Sequence, residues 1–279
     1  MSHETTEGPR KEQSARTYGE ILHEEIVTAL GELRRPLRGL SFSGLSAGLD
    51  IGFSVLLMAV AHDLLVGEVP DGVLEVVMAN MYSVGFLFVI VGRSELFTEH
   101  TTLATLPVLA GRATLRQLAR LWAVVYTFNL IGGALFAGFV TLIAPRLGVA
   151  REETFALISD RMTDHPWWII LLSGILAGWL MGLLSWLVKA GGDTLSTILV
   201  VWLIATSIGL AGLHHSIVGA VEVFSGLFVG SATWPDFGRF LVWATLGNAV
   251  GGVVFVAVVK YAHATSERGD GPAPDIEEP

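Results

Sequence analysis

Long apolar segments separated by short polar ones run along most of this chain. Each is close to the roughly 20 residues that a helix needs to cross a bilayer. The predicted spans are residues 39–62, 73–92 continuing past a polar break to 110, 117–144, 167–188, 195–212 continuing past a second break to 230, and 237–261. The pattern therefore predicts an all-α, multi-pass membrane protein with six transmembrane helices, two of them broken.

The two halves of the chain repeat one another. The sequence Asn129-Leu-Ile-Gly-Gly-Ala-Leu-Phe returns as Asn248-Ala-Val-Gly-Gly-Val-Val-Phe, and the same shift of 119 positions superimposes the two breaks. A glycine-rich pair at 44–52 and 174–182 matches at a slightly different offset. Duplicated halves with one broken helix each are typical of transporters and channels. Because each half has an odd number of spans, the halves must cross the membrane in opposite orientations, as an inverted 3+3 repeat.

The distribution of basic residues predicts the orientation. Twelve Lys and Arg residues fall on the side that carries both termini, against Arg146, Arg151, Arg161 and Arg239 on the other side. By the positive-inside rule, both termini are expected to be cytoplasmic and the protein to lie in the cell membrane. The N-terminal segment lacks the apolar core of a cleavable signal peptide.

Three regions are predicted. Residues 1–38 form a cytoplasmic N-terminal segment, flexible over 1–16, with an amphipathic helix over 18–35 that lies on the membrane surface or on a neighbouring subunit. Residues 39–261 form the transmembrane pore domain, with an amphipathic external cap over 152–162. Residues 262–279, rich in Pro, Gly and acidic residues, form a disordered cytoplasmic tail.

Composition excludes several other classes. Apolar residues make up 52% of the chain and mean hydropathy is +0.61, which fits a membrane protein. The chain has no cysteine, so disulfides, thiol catalysis and Cys-based metal sites are excluded. The net charge of −9 is dispersed without a basic stripe, so nucleic acid is not an expected partner. Membrane lipid is an expected partner, and no cofactor is expected.

The two breaks carry ionisable groups at membrane depth. The first, 92–100, contains Arg93, Glu95, Glu99 and His100, and the second places His214 and His215 side by side. Ionisable groups inside a membrane are costly and usually functional. Non-helical backbone is tolerated there only when it is buried in protein or lines a cavity. A structural alternative for the first break is an internal ion pair between Arg93 and Glu95.

These motifs resemble the formate/nitrite transporter family. The resemblance rests on Leu96-Phe97-Thr98, on Gly212-x-His214-His215-Ser216-Ile217 and on Gly247-Asn248-x-x-Gly251-Gly252, in order across 39–261. It implies an aquaporin-like six-helix bundle assembled as a homo-pentamer, with one pore in each subunit. It also implies that the permeant is a small monovalent anion or its conjugate acid, such as formate, nitrite, hydrosulfide, acetate or lactate.

The resemblance implies roles for individual residues. His215 matches the central pore histidine and Thr98 the threonine that faces it, with His214 and Ser216 beside them. The residues expected at the constrictions are Tyr82, Phe86, Leu96, Phe97, Ile208 and Leu213. Tyr82 and Ile208 stand where the family usually has phenylalanine. For the aromatic residues, ordinary helix packing is the alternative.

Three positions depart from the family pattern. Gly178 stands where the family typically has an asparagine, the usual lysine is missing from 162–167, and His214 replaces the usual acid. The residues considered as electrostatic substitutes or additional intramembrane charges are Arg93, Glu95, His100, His214 and Asp50. Asp50, inside the first span, is expected at a helix contact within or between subunits, or in the pore.

The mechanism expected from desolvation is passage of a neutral acid. A bare anion at mid-bilayer costs far more than its conjugate acid. A histidine is suited to pass the proton, because its pKa lies near neutrality. His215 is therefore predicted to relay the proton, with Thr98 orienting the permeant or the imidazole.

Other functions share parts of this sequence pattern. An aquaporin-like channel for a small neutral solute would share the repeat, but neither break contains Asn-Pro-Ala. A sensor without transport fits the missing electrostatic residues. A metalloenzyme using His214, His215, Glu222, Glu95 and His100 is disfavoured, because adjacent histidines on a helix point about 100° apart. A serine hydrolase is disfavoured because the nucleophile-elbow pattern is missing.

Overall fold

The computed structural model describes residues 16–266. The flexible leader predicted for 1–16 and most of the predicted tail lie outside the described residues, apart from Arg16 and a helix that continues to Ser266. The helices are α1 (Tyr18–Arg34), α2 (Leu37–Leu65), α3 (Asp71–Val91), α4 (Phe97–Leu103), α5 (Leu106–Leu109), α6 (Leu115–Leu147), α7 (Glu152–Thr163), α8 (Trp167–Gly191), α9 (Thr194–Leu210), α10 (Ser216–Val229), α11 (Trp234–Val250), a π-helical segment (Gly251–Val258) and α12 (Val259–Ser266).

The helices form a six-span bundle, as predicted. Within residues 16–266, five helices are long and apolar enough to cross a membrane: α2, α3, α6, α8 and the continuous helix from Trp234 to Ser266. The sixth span is built from the shorter apolar helices α9 and α10, which meet at the second break. The first break separates α3 from α4 in the same way. Both broken helices are therefore confirmed in an all-α membrane fold.

Close glycine contacts join the spans within each half. A Cβ on Gly48 of α2 would lie 2.2 Å from the backbone oxygen of Asn129, and a Cβ on Gly178 of α8 would lie 2.2 Å from that of Asn248. Small residues of this kind allow transmembrane backbones to approach closely. The repeated glycine motif thus builds the same helix crossing twice, α2 on α6 and α8 on α11.

The last span differs from its counterpart in the first half. Its π-helical segment, Gly251–Val258, corresponds to uninterrupted α-helix in α6. Within the segment, the Gly252 carbonyl accepts a hydrogen bond from Thr102 Oγ1 at 2.9 Å. A Cβ on Gly252 would lie 2.2 Å from Thr101 Oγ1. The π-helical turn therefore lets the short helix α4 pack directly on the backbone of the last span.

Two amphipathic helices lie outside the bundle's spans. Helix α1 begins with a capping box between Thr17 and Glu20 and buries one apolar face, which includes Ile26 and Leu33, against the bundle. On the opposite side, α7 packs along α10 and buries Phe155 completely. Each helix therefore stands beside one end of the bundle.

Candidate functional site

Asn129 holds the first break in place. Its Oδ1 accepts a hydrogen bond from the Phe97 backbone N–H at 2.9 Å. Its Nδ2 donates to the carbonyl oxygens of Gly44 at 2.8 Å and Glu95 at 2.9 Å. The side chain is fully buried, so these bonds satisfy backbone groups that the break leaves without helical partners.

Asn248 makes the same three bonds at the second break. Its Oδ1 accepts from the Ser216 backbone N–H at 2.8 Å, and its Nδ2 donates to the carbonyls of Gly174 and His214, both at 2.9 Å. The sequence revealed the repeated motif around Asn129 and Asn248 but assigned these asparagines no role. In the structure they are paired clamps that fix both breaks to the neighbouring spans.

The clamps bring the starts of two half-helices together. Leu96 and His215 occupy equivalent N-cap positions, in extended conformation, at the starts of α4 and α10. The two half-helices meet where Thr98 of α4 contacts His215. The N-terminus of a helix carries partial positive charge, so this meeting point favours a negative group.

The hydrogen bonds of His215 identify its tautomer. Nδ1 accepts from the Val218 backbone N–H at 3.2 Å, so a neutral ring carries its proton on Nε2. Nε2 lies 2.8 Å from Thr98 Oγ1 and therefore donates to it. The hydroxyl hydrogen of Thr98 remains available for a further acceptor. Both side chains are fully buried, so the pair is isolated from bulk water.

Aromatic rings cover this pair on one side. The ring of Phe86 meets His215 edge-on with centroids 5.1 Å apart, and Tyr82 lies 5.4 Å from Phe86. Both are buried, as is Ile208. Tyr82, Ile208 and Leu213 line a cavity beyond these rings. The structure therefore places four of the predicted constriction residues on the same side of His215: Tyr82, Phe86, Ile208 and Leu213. Phe97, by contrast, packs on Tyr126 of α6 with centroids 4.7 Å apart.

Two cavities lie at opposite ends of the bundle. The outer vestibule, beside α7, has a volume of about 210 Å³. Its lining includes Tyr82, Arg161, His165, Ile208 and Glu222. The inner vestibule, beside α1, has a volume of about 700 Å³. Charged residues on its lining are Arg16, Glu24, Glu32, Arg35, Arg93, Glu95, Glu99, Lys189 and Asp193.

The structure corrects the ion pair proposed for the first break. Glu95 pairs with Arg35 at 2.6 Å and with His100, and Arg35 also holds Glu32 at 2.7 Å. Arg93 has a left-handed backbone with φ of 57° and is exposed on the inner vestibule. The backbone of Glu95 is meanwhile fixed by Ser43 Oγ at 3.1 Å. This turn separates the two side chains, so a pair between Arg93 and Glu95 does not form.

The remaining predicted residues are placed apart from the central pair. His214 Nδ1 lies 2.9 Å from Ser173 Oγ, and its ring contacts that of His165 with centroids 5.4 Å apart. Ser216 contributes its backbone N–H to the Asn248 clamp. Asp50 accepts from Ser46 Oγ at 3.1 Å on a half-buried part of α2 and lines neither vestibule.

The structure adds residues that the sequence analysis did not place in the pore. Glu222, His165 and Arg161 line the outer vestibule. Glu222 had a visible signal, since it is the one acid in the apolar helix α10, but the sequence suggested it only as a metal ligand. Among residues 16–266, His, Asp and Glu side chains form no group of three that could hold a metal ion.

Comparison with known proteins adds to this geometry. The family model described as formate/nitrite transporter matches residues 19–262. The inner membrane protein YfdC of Escherichia coli (strain K12) is 32% identical over 246 residues, covering 86% of this chain and 76% of that protein. A solved FNT family ion channel superimposes with a TM-score of 0.78 at 24% identity, covering 87% of this chain and 98% of that one.

A second solved structure, a pentameric formate channel with formate bound, gives a TM-score of 0.67 at 23% identity, covering 82% of this chain and 98% of that one. These likenesses show that the chain shares the fold of both proteins. The match of the family model extends over nearly all of the described residues. The chain belongs to the formate/nitrite transporter family.

Proposed function

We propose that this protein conducts small monovalent weak acids of the formate and nitrite type across the cell membrane, together with a proton. The observation that carries the proposal is the buried pair of Thr98 and His215, placed where the two half-helices meet between vestibules at opposite ends of the bundle. The Thr98 and His215 side chains are the polar groups that a permeant contacts after it leaves water.

Desolvation determines the form in which the permeant crosses. The segment around His215 is buried and flanked by the rings of Tyr82 and Phe86, so a bare anion would lose its hydration without full compensation. The N-terminus of α10 attracts an anion toward this point. A proton taken up on the way makes the permeant neutral, and the apolar constriction then becomes passable.

The hydrogen-bond geometry defines how His215 takes part. Its Nε2–H donates to Thr98, whose hydroxyl donates in turn to an oxygen of the permeant. For His215 to pass on its own proton, Nδ1 must become protonated and release the Val218 N–H. Losing a helix cap of this kind costs about 0.5–2 kcal/mol. This free energy is small enough for the bond to break transiently during proton transfer.

Two substitutions separate titration of the side chain from capping of α10. In His215→Asn, the amide oxygen can still cap α10, but the side chain does not titrate. His215→Phe removes both properties. In proteoliposomes containing a pH-sensitive dye, we expect His215→Asn to flatten the pH dependence of formate and nitrite uptake, and His215→Phe to reduce uptake as well.

The outcomes distinguish the alternatives. Unchanged flux and pH dependence in both variants would remove His215 from proton transfer. A wild-type protein that binds formate or nitrite without flux would be a sensor. One that passes only water or urea would be a neutral-solute channel.

The assembly and orientation belong to the same proposal. A homo-pentamer is supported by the fold shared with the pentameric formate channel. Cytoplasmic termini are supported by the excess of basic residues on that side. The mass of the assembly in native detergent, and protease access to the N-terminus in sealed vesicles, test the two points separately.

A further inference from the structure

Glu222 is a carboxyl group without a protein partner inside the outer vestibule. It lies in the middle of the apolar helix α10 and is 4% exposed. Within residues 16–266 it takes part in no hydrogen bond or ion pair, and it lines the cavity that Tyr82 and Ile208 also line. Its carboxyl therefore faces the space through which a permeant would pass.

The charged groups around it leave Glu222 uncompensated. Arg161 shares the vestibule, but both arms of its guanidinium bind Glu75, at 2.6 and 2.9 Å. His165 and Tyr82 are the other titratable residues on this lining. The lining residues from α2, α9 and the second break are apolar or glycine. An unpaired carboxylate in such surroundings is costly, so the group retains its proton.

The register of α10 aligns Glu222 with the central pair. Seven residues separate it from His215, the N-cap of α10, which is close to two helical turns, so the two Cα atoms lie on the same side of the helix axis about 10 Å apart. Phe86 contacts His215, and Tyr82 lies one turn away on α3, toward the cavity that Glu222 lines. The two polar groups therefore stand on either side of this aromatic constriction.

We propose that Glu222 is the proton-exchange residue of the outer vestibule, an assignment that rests on the proposed function. The protonated carboxyl transfers its proton to an oxygen of the incoming anion, which forms the neutral acid and leaves Glu222 as a carboxylate. The acid then passes Tyr82 and Phe86. The carboxylate takes a proton from vestibule water to complete the cycle.

Flux measurements with matched variants test the transfer. We expect Glu222→Gln to lower formate uptake roughly tenfold or more when the outer side is neutral or alkaline. The loss should be smaller in acid, where the bulk solution already supplies the neutral acid. Glu222→Asp should retain part of the activity. Glu68→Gln, which removes an exposed acid on the same side of the bundle, should change nothing.

Infrared spectroscopy of the wild-type protein provides a readout that does not depend on flux. At neutral pH we expect a carbonyl band from a protonated carboxyl that shifts when nitrite is added and is absent from Glu222→Gln. Nitrite suits this purpose because it has no carbonyl of its own. A nitrite-sensitive band alongside an inactive wild type would support Glu222 while refuting transport.

The assignment is overturned by either of two results. One is a wild-type spectrum without this band, or with a band that nitrite leaves unmoved. The other is a Glu222→Gln variant that transports formate with wild-type rate and pH dependence. If Glu222→Gln fails to fold, the nitrite response of the wild-type band and the flux of Glu222→Asp decide the question.

Discussion

Replacing Asn248 with alanine tests whether one side chain holds the second break together. The substitution removes all three hydrogen bonds of the clamp, to the backbone of Ser216, Gly174 and His214. The asparagine is fully buried, so water has no direct access to the groups left behind. The break that positions His215 would then have to be held by packing alone.

The structure allows the size of the effect to be worked out. The Gly174 carbonyl lies inside α8, whereas the Ser216 N–H and the His214 carbonyl belong to the break itself. Each unpaired group in the break costs about 1–3 kcal/mol. A total of about 4 kcal/mol corresponds to a fall in melting temperature of roughly 10 °C for a protein of this size.

Thermal unfolding of the purified protein in detergent, followed by loss of the assembly on size-exclusion chromatography, measures this fall. Asn129→Ala should lose a similar amount, because its clamp is the same. Asn80→Ala is the matched control, since Asn80 hydrogen-bonds Trp202 at 2.9 Å on the exposed surface. If Asn248→Ala melts within about 3 °C of the wild type, the clamp does not hold the break and the estimate fails.

Two further predictions follow from the packing. Gly178→Asn should impair folding because its Cβ would lie 2.2 Å from the Asn248 backbone oxygen, whereas Gly238→Ala, with nothing within 4 Å, should be tolerated in the same melting assay. Burial raises the pKa of Glu25 to about 7, so docking of α1 is strongest with the acid protonated and weakens as pH rises from about 4.5 through 7. Thiol labelling of Ala29→Cys in this cysteine-free chain, divided by the labelling rate of the unfolded variant to remove the intrinsic rise in thiolate fraction, should accordingly speed up with rising pH. Adding Glu25→Gln should abolish the pH dependence of this ratio; an unchanged dependence would contradict this account.

Hydropathy was sufficient to predict the bundle because the bilayer imposes both the length and the polarity of each span. The repeat was visible because the same close crossings require glycine and asparagine in both halves. The clamps were not predictable in detail, since the sequence does not show which backbone groups a break leaves unpaired. The repeated motif located Asn129 and Asn248 but did not reveal their function.

Charge pairing was harder to predict from proximity along the chain. Glu95 and Arg93 are near neighbours, yet Glu95 pairs with His100 and with Arg35, sixty residues earlier. The left-handed turn at Arg93 decided this outcome, and backbone conformation at a break is not encoded by hydropathy. Glu222 differs from Glu95, because an acidic residue within an apolar helix can be recognised in the sequence. Its position on the vestibule depends on the packing of α7 along α10 and on the cavity that α3 also lines.

The inverted repeat also explains why only one of the two breaks places a polar side chain at its N-cap position. Equivalent clamps place Leu96 and His215 at matching N-caps, with φ and ψ of −104° and 127° for one and −92° and 123° for the other. Only the imidazole can accept the backbone N–H of its helix and still donate from its second nitrogen. The duplicated backbone thus forms two equivalent N-cap positions. Leu96 makes one of them apolar, and His215 makes the other a hydrogen-bond donor. Thr98, from the apolar side, then becomes the natural partner for that donor, so the site requires both halves of the repeat.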